Sequence, residues 1–225
     1  IFLSTLDSAN KEYEQKNWEK AAILWERLAN ANPVNGHFWE YLASAYFKDK
    51  MYNKAIPAYK KLVELGYGVP ANRAYDIACC YSLLKDKKQS LFWLQKALDM
   101  GYYYISHAQT DSDLKFIADE PTFKKLLFLE DVSKMTRNEG WLYDLDMLQW
   151  EVKRKAIRIS PDQDLPAFDD SLDKLRKEIP KLTDAQIIIE LMKMVRYIGD
   201  GHSNIFLPLS KPEFKQTLPL QFYLF

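Results

Sequence analysis

One titratable side chain stands in a glycine-rich turn near the end of the sequence. Residues 198–204 read Ile-Gly-Asp-Gly-His-Ser-Asn, so Gly199 and Gly201 bracket Asp200, and His202 follows directly. Glycine permits the backbone angles of a tight turn. A histidine exposed on such a turn titrates close to neutral pH, which suits a general base. Two simpler interpretations stay open: His202 as a turn residue hydrogen-bonded to backbone, and Asp200 as a residue that stabilises or orients the turn.

Three amphipathic stretches lead into this turn. The last of them begins at Thr183, where Thr183 and Gln186 have the spacing of a capping box, and ends at Gly199. Apolar side chains at helical spacing form one stripe on each stretch, so we predict a small three-helix cluster. The stripes are Trp141-Leu145-Leu148-Val152, Phe168-Leu172-Leu175-Ile179 and Ile187-Leu191-Val195-Ile198.

Two strand-like segments follow the turn. Residues 205–209 read Ile-Phe-Leu-Pro-Leu and residues 218–225 read Leu-Pro-Leu-Gln-Phe-Tyr-Leu-Phe, and both are rich in aliphatic and aromatic side chains. Two strands alone make at best a marginal hairpin with open edges. We therefore expect the first strands of a truncated α/β domain, and we expect the chain to be part of a longer protein.

The N-terminal half contains an internal repeat. Ala21, Trp25 and Leu28 recur 34 residues later as alanine, tyrosine and leucine, and a weaker third copy follows at a shift of 35. The period and the order of aromatic and small residues resemble the tetratricopeptide repeat (TPR), which implies helical hairpins stacked into a solenoid. The second copy is the most complete, with Trp39, Leu42, Ala43, Tyr46, Tyr52, Ala55, Tyr59 and Leu62.

A solenoid of this kind presents the first helix of each hairpin on its concave side. Such a groove can hold an extended or helical peptide. The alternative is that the same surface packs against another domain of the protein itself. By repeat position the concave face would carry Tyr13, Glu14, His37, Glu40, Ser44, Lys48, Asn72, Tyr75 and Cys79.

Composition disfavours several other kinds of function. Lys+Arg and Asp+Glu number 31 each, so the basic excess typical of a nucleic-acid platform is absent. No apolar run is long enough for a membrane span. The two cysteines, Cys79 and Cys80, are adjacent and far in sequence from the three histidines, so neither a metal site nor a disulfide is predicted. No phosphate-cradling loop is present, and we expect no cofactor.

The predicted organisation is therefore mainly α. A TPR-like solenoid with capping helices occupies residues 1–130, and a linker spans residues 131–140. Residues 141–225 form the three-helix cluster and the first strands of an incomplete domain.

Four motifs follow one another between residues 141 and 203: Trp141-x-x-Asp144-Leu145, Phe168-x-x-x-Leu172-x-x-Leu175, Leu182-Thr183-Asp184 and Ile198-Gly199-Asp200-Gly201-His202-Ser203. This order resembles the N-terminal helical subdomain of the tail-specific (C-terminal processing) and tricorn-like serine peptidases. Ser203 stands where that family usually has threonine. The resemblance implies His202 as the candidate general base if the chain is of the tricorn-like kind. In the processing branch a lysine is the base, and the choice between the two stays open.

The resemblance implies a serine peptidase that hydrolyses polypeptide substrates by acyl transfer, with the TPR-like unit as its partner-binding arm. The family's nucleophilic serine lies downstream, so the 225 residues alone are predicted to be inactive. The family's bacterial members imply a location in the cell envelope or periplasm, or secretion. The alternative is a non-enzymatic TPR scaffold whose second part is a docking or vestigial peptidase-like domain.

Overall fold

The computed structural model describes residues 2–156, 165–199 and 205. The chain divides between Glu130 and Asp131 into two compact units, the hairpin unit (1–130) and the cluster unit (131–225). No helix among the described residues combines the length and apolar character needed to cross a bilayer.

The hairpin unit begins with six helices of similar length. Each helix contacts the next one in the chain, so three antiparallel hairpins stack in sequence order. The predicted helical-hairpin repeats are thereby confirmed. The helices are α1 (Phe2–Glu14), α2 (Trp18–Ala31), α3 (Gly36–Lys48), α4 (Tyr52–Leu65), α5 (Pro70–Leu83) and α6 (Lys87–Asp99).

The residues that define the repeat also form the core of this unit. Ala21, Trp25 and Leu28 on α2 are all buried, and so are Ala55 and Leu62 on α4. The alanines bring the two helices of a hairpin close together, while the larger side chains fill the space to the neighbouring hairpin. The residues that recur with the sequence repeat are thus the ones that pack each hairpin against the next.

The turn inside each hairpin contains a lysine with a left-handed backbone. Lys16, Lys50 and Lys85 have φ angles of 61°, 60° and 64°. Each follows the end of the first helix by two residues and precedes the second helix by two residues. The three lysines are 34 and 35 residues apart, so the same turn recurs in every hairpin.

Short helices cover the open end of the stack, as expected for a solenoid cap. They are α7 (Ile105–Thr110), a 3-10 turn (Ser112–Leu114) and α8 (Pro121–Leu126). Leu114 in the 3-10 turn and Phe123 in α8 are buried. Helix α8 ends at Leu126, and the chain then turns at Phe128, whose φ is 51°.

The cluster unit contains the three predicted helices: α9 (Arg137–Ala156), α10 (Leu165–Glu178) and α11 (Asp184–Met194). The buried members of the three stripes form one hydrophobic core, with Trp141, Leu148 and Val195 packed against it. The predicted capping box is present, since Thr183 Oγ1 accepts from the Gln186 amide and the Gln186 side chain accepts from the Thr183 amide.

Two features complete this unit. The guanidinium of Arg137 donates to Asp184 Oδ1 at 2.8 Å and to the Leu182 carbonyl at 2.7 Å, which ties the start of α9 to the start of α11. After α11, a 3-10 helix (Val195–Ile198) ends at Gly199, which has φ 68°. That positive φ is the backbone state that glycine adopts at least cost.

The part of the chain that the structure describes contains no strand. The predicted strands at 205–209 and 218–225 lie outside the described residues, except for Ile205. This residue is partly buried and packs against the core of the cluster unit. The linker predicted at 131–140 contains a 3-10 turn (Val132–Lys134), and α9 has already begun by Arg137.

Candidate protein-binding groove

The first helices of the three hairpins enclose an open pocket of about 410 Å³. Four side chains that the repeat positions assign to the concave face line it, namely those of Tyr13, Glu40, Ser44 and Lys48. The residues that line the pocket are Tyr13, Glu40, Tyr41, Ser44, Phe47, Lys48, Tyr59, Arg73 and Asp76. All but Tyr59, on α4, come from α1, α3 and α5. We call this pocket the groove.

One wall of the groove consists of packed aromatic rings. Tyr13 meets Tyr41 edge-on at 4.8 Å between ring centroids, and Tyr41 stacks on the buried Trp25 at 4.6 Å. The Tyr13 hydroxyl and Ser44 Oγ lie 2.6 Å apart and form a hydrogen bond. Because each ring is held by a second one, this wall is fixed before any ligand arrives.

The opposite wall carries a bridge of charged groups. The guanidinium of Arg73 on α5 donates to Glu40 Oε1 on α3 and, at 3.2 Å, to Asp76 Oδ2. The three side chains are between 23% and 33% exposed, so the bridge is partly shielded from water. Arg73 Nε is buried and has no hydrogen-bond partner among the described residues. On this wall, one guanidinium therefore pairs with two carboxylates.

The surroundings of Asp76 raise the pKa of its carboxyl to about 6. Loss of solvent is the largest cause, and the nearby carboxylates of Glu40 and Asp111 add to it, while Arg73 acts in the opposite direction. A carboxylate that is poorly compensated in the folded state gains from any ligand that supplies a donor or a positive charge. We therefore expect a donor or a positively charged group of a bound peptide to contact Asp76.

Lys48 lies at the rim of the groove. Its ammonium group is 5.7 Å from the centroid of the Trp18 ring, a cation–π distance, and the side chain is exposed. Trp18 in turn meets Tyr13 at 5.2 Å. The Lys48 ammonium group thus packs on Trp18, which contacts the aromatic wall, and it remains accessible to a partner.

Five predicted groove residues lie outside the pocket, namely Glu14, His37, Asn72, Tyr75 and Cys79. His37 is exposed and packs on Tyr41 at 4.8 Å. Asn72 is on α5, and its Oδ1 is buried with no partner among the described residues. Tyr75 is buried because Tyr102, from the segment after α6, stacks on it at 4.2 Å. The chain itself thus covers the position that Tyr75 was expected to present.

Tyr75 belongs to a separate polar cluster beside the groove. Its hydroxyl donates to Asp111 Oδ2 at 2.7 Å, and His107 Nδ1 lies 3.8 Å from the same oxygen. Cys79 Sγ is 3.8 Å from it as well. Burial raises the pKa of the Cys79 thiol well above its ordinary value, and the nearby carboxylates add to the effect. The thiol therefore stays protonated and unreactive at neutral pH.

The repeat positions do not assign five lining residues to the groove, namely Tyr41, Phe47, Tyr59, Arg73 and Asp76. A signal for two of them was present, since Tyr41 and Asp76 are 35 residues apart and occupy equivalent repeat positions on α3 and α5. Arg73 is placed by its reach across to Glu40 on another helix, which the repeat pattern does not encode.

The turn residues Asp200 and His202 lie outside the described residues, so their predicted roles stay predictions. Among the described residues, no group of three or more His, Cys, Asp or Glu side chains could hold a metal ion. A second pocket, of about 380 Å³, lies between α10 and the segment from Glu190 to Tyr197 in the cluster unit. It carries charges of both signs, including Lys174, Glu178 and Arg196.

Comparisons with known proteins give a partial likeness. Over 60 residues, or 27% of its length, the chain is 32% identical to stress-induced-phosphoprotein 1 of Caenorhabditis elegans, a TPR protein. The match spans 19% of that protein. No family model matches the chain, and no solved structure matches it significantly.

Proposed function

We propose that this chain is a protein-interaction scaffold of the TPR-like kind, whose hairpin unit binds a peptide segment of a partner protein in the groove. The observation that carries the proposal is the pocket of about 410 Å³ enclosed by α1, α3 and α5. Its volume lies within the range of about 300–1,000 Å³ that is typical of ligand-binding pockets. The stacked hairpins and the partial likeness to a TPR protein support it.

The groove also has the composition of a peptide site. Tyrosine rings supply contact area at a small entropic cost, and Tyr13, Tyr41 and Tyr59 all line the pocket. Polar groups on the opposite wall can pair with backbone and side-chain groups of an extended chain. We therefore expect a ligand segment that combines at least one apolar side chain with polar or basic ones.

The test begins with selection of peptides from a random library displayed on phage, with the full chain as bait. The affinity of a selected peptide is then measured for the native chain and for Ser44→Arg, which fills the groove beside Tyr13. Asn30→Arg, at an exposed position on α2, is the matched control. We expect roughly a tenfold loss or more for Ser44→Arg, since most interface energy resides in a few central contacts.

Equal binding by Ser44→Arg and the native chain would refute the groove as the binding site. Reversing the rim charge by Lys48→Glu provides a second check, and we expect weaker binding of any peptide whose contact there is acidic. Circular dichroism of each variant should show unchanged helix content, so that a loss of binding is not a loss of fold.

A second proposal concerns peptide-bond hydrolysis. It rests on the resemblance of four sequence motifs between Trp141 and Ser203 to the helical subdomain of tail-specific and tricorn-like peptidases. Under this proposal His202 is a general base and Asp200 orients the turn, with polypeptide substrates and a bacterial cell-envelope, periplasmic or secreted location. A serine-reactive phosphonate probe would be applied to a chain extended past Phe225 and to its His202→Ala form. Equal labelling of the two proteins would rule out His202 as the base. If neither protein is labelled, the peptidase proposal is wrong.

A further inference from the structure

The turns inside the three hairpins form a lysine-rich edge of the hairpin unit. Lys16, Lys50 and Lys85 occupy the left-handed position of successive turns, with φ between 60° and 64°. Side chains other than glycine, asparagine and aspartate seldom adopt this backbone state, because the β-carbon crowds the backbone there. A lysine at all three equivalent turns is therefore a recurrence that backbone preference does not explain.

A second row of lysines runs beside the first. Lys20, Lys54 and Lys88 lie in the first turns of α2, α4 and α6, each 34 residues from the next. Positive side chains are electrostatically unfavourable at a helix N-terminus, where acidic ones are the stabilising choice. The first turns of α4 and α6 contain no acidic residue. Helix stability, like backbone preference, gives no reason for these lysines.

The edge has a clear excess of positive charge. Residues 14–20, 50–54 and 85–88 together carry seven lysines and three acidic side chains, in a chain whose total charge is zero. Within the part of the chain that the structure describes, Lys16, Lys50 and Lys88 form no ion pair, and all three are exposed. Lys87 is engaged, at 2.6 Å from Glu120, and the Lys85 and Lys54 ammonium groups lie 4.8 Å and 5.5 Å from the ring centroids of Phe116 and Tyr46. All seven lysines of the edge are nevertheless exposed to solvent.

We propose that this edge binds an acidic polypeptide segment that runs along the stack in an extended conformation. The first helices of neighbouring hairpins contact each other through side chains, Tyr13 on Ser44 and Arg73 on Glu40, so their axes lie about 10 Å apart. Three residues of an extended chain cover about 10 Å. A segment with a carboxylate at every third residue therefore matches the period of the lysine rows. The edge is a second interaction surface, distinct from the groove.

The observations favour a polypeptide over a nucleic acid. All six row positions are lysine, whereas phosphate recognition favours arginine, whose planar fork binds two oxygens at once. The rows span three turns only, so few phosphates would be neutralised, and the chain has no overall basic charge to attract a polyanion. Carboxylates spaced along a flexible chain can pair with flexible ammonium groups, and such pairs need neither the planar fork of arginine nor an overall basic charge.

The experiment uses the full chain and a fluorescein-labelled peptide of repeated Glu-Ser-Ser triplets. Binding is measured by fluorescence anisotropy at low and at near-physiological salt, with a Gln-Ser-Ser peptide as the uncharged control. The edge variant carries Lys16→Asn, Lys50→Asn and Lys85→Asn, because asparagine tolerates the left-handed backbone. We expect the native chain to bind only the acidic peptide, and the edge variant to lose roughly tenfold in affinity. Added salt should weaken native binding strongly, since the contacts are exposed.

A matched control removes three positive charges that recur with the same period in the C-terminal halves of α2, α4 and α6. Arg27, Lys61 and Lys96 are 34 and 35 residues apart on α2, α4 and α6. Their replacement by glutamine should leave affinity for the acidic peptide within about twofold, apart from a small long-range effect. Equal losses in the two triple variants would overturn the proposal, because the charge would then act without regard to position.

Two further outcomes separate this surface from others. Ser44→Tyr, which fills the groove without adding charge, should leave affinity for the acidic peptide unchanged, so failure of the groove and failure of the edge are distinguishable. A short DNA duplex and vesicles that contain phosphatidylserine are tested in parallel. Should either bind in an edge-dependent manner while the acidic peptide does not, the polypeptide assignment is wrong.

Discussion

Replacing Asp76 by asparagine tests whether the groove contains a poorly compensated charge. Asp76 accepts from Arg73, yet loss of solvent and two neighbouring carboxylates raise its pKa from 3.8 to about 6. Asparagine keeps the shape of the side chain and an oxygen acceptor for Arg73 while removing the charge. We predict that Asp76→Asn makes the hairpin unit more stable than the native unit at neutral pH.

The sign and size of the effect follow from the pKa shift. Because the folded state holds the Asp76 proton more tightly than the unfolded state does, native stability falls as pH rises from about 4 to about 6, and is then level. A difference of about two pKa units corresponds to about 3 kcal/mol. The side chain is 31% exposed, so solvent screening reduces this, and we expect about 1–2 kcal/mol. The advantage of Asp76→Asn should therefore grow by that amount between about pH 4 and pH 7.

Urea unfolding at several pH values measures this quantity. Pulse-labelling hydrogen exchange, analysed on peptides from α5, assigns the transition to the hairpin unit and separates it from the cluster unit. A stability difference between the two proteins that is independent of pH would show that Asp76 titrates normally. If the stability advantage of Asp76→Asn instead shrinks towards neutral pH, Arg73 more than compensates the charge of Asp76. The raised pKa of Asp76 would then be refuted.

Three further substitutions test the local structure. Thr183→Ala removes the side chain that accepts from the Gln186 amide and should cost the cluster unit about 1 kcal/mol in urea unfolding; no loss would mean that the capping box contributes nothing. Gly36→Ala would place a β-carbon 2.2 Å from Tyr67 Cγ, so we expect a lowered melting temperature and a loss of about 1–3 kcal/mol. Gly140→Ala, with open space around the same atom inside α9, should instead stabilise by about 0.5–1 kcal/mol, and equal effects of the two would refute the packing at Tyr67.

The sequence predicts the parts of this fold that depend on local pattern. The 34-residue recurrence of Ala21 as Ala55 predicted the hairpins, because one packing unit repeats and needs the same small residue each time. The stripe on α10 and the capping box at Thr183 were equally readable, because both depend on spacings within one helix. Such features require no knowledge of where distant residues lie.

The candidate site was less predictable because it depends on contacts between helices. Repeat position assigns Tyr13 and Ser44 to the concave face, and both line the pocket. It also assigned Tyr75 to an open face, which Tyr102 covers from a segment outside the repeat. The bridge from Arg73 to Glu40 depends on the rotation of α5 against α3 and on the reach of a long side chain. Neither property has a sequence signature.

Site-specific photocrosslinking shows directly whether a partner peptide lies in the groove. A benzoylphenylalanine is placed at Phe47, an aromatic residue that already lines the groove, and in a second protein at Ile23, which is exposed on α2. Each protein is irradiated with a peptide selected on the native chain, and the adduct is located by mass spectrometry. We predict a crosslink from position 47 and little from position 23. A crosslink from position 23 alone, with none from position 47, would show that the peptide binds elsewhere.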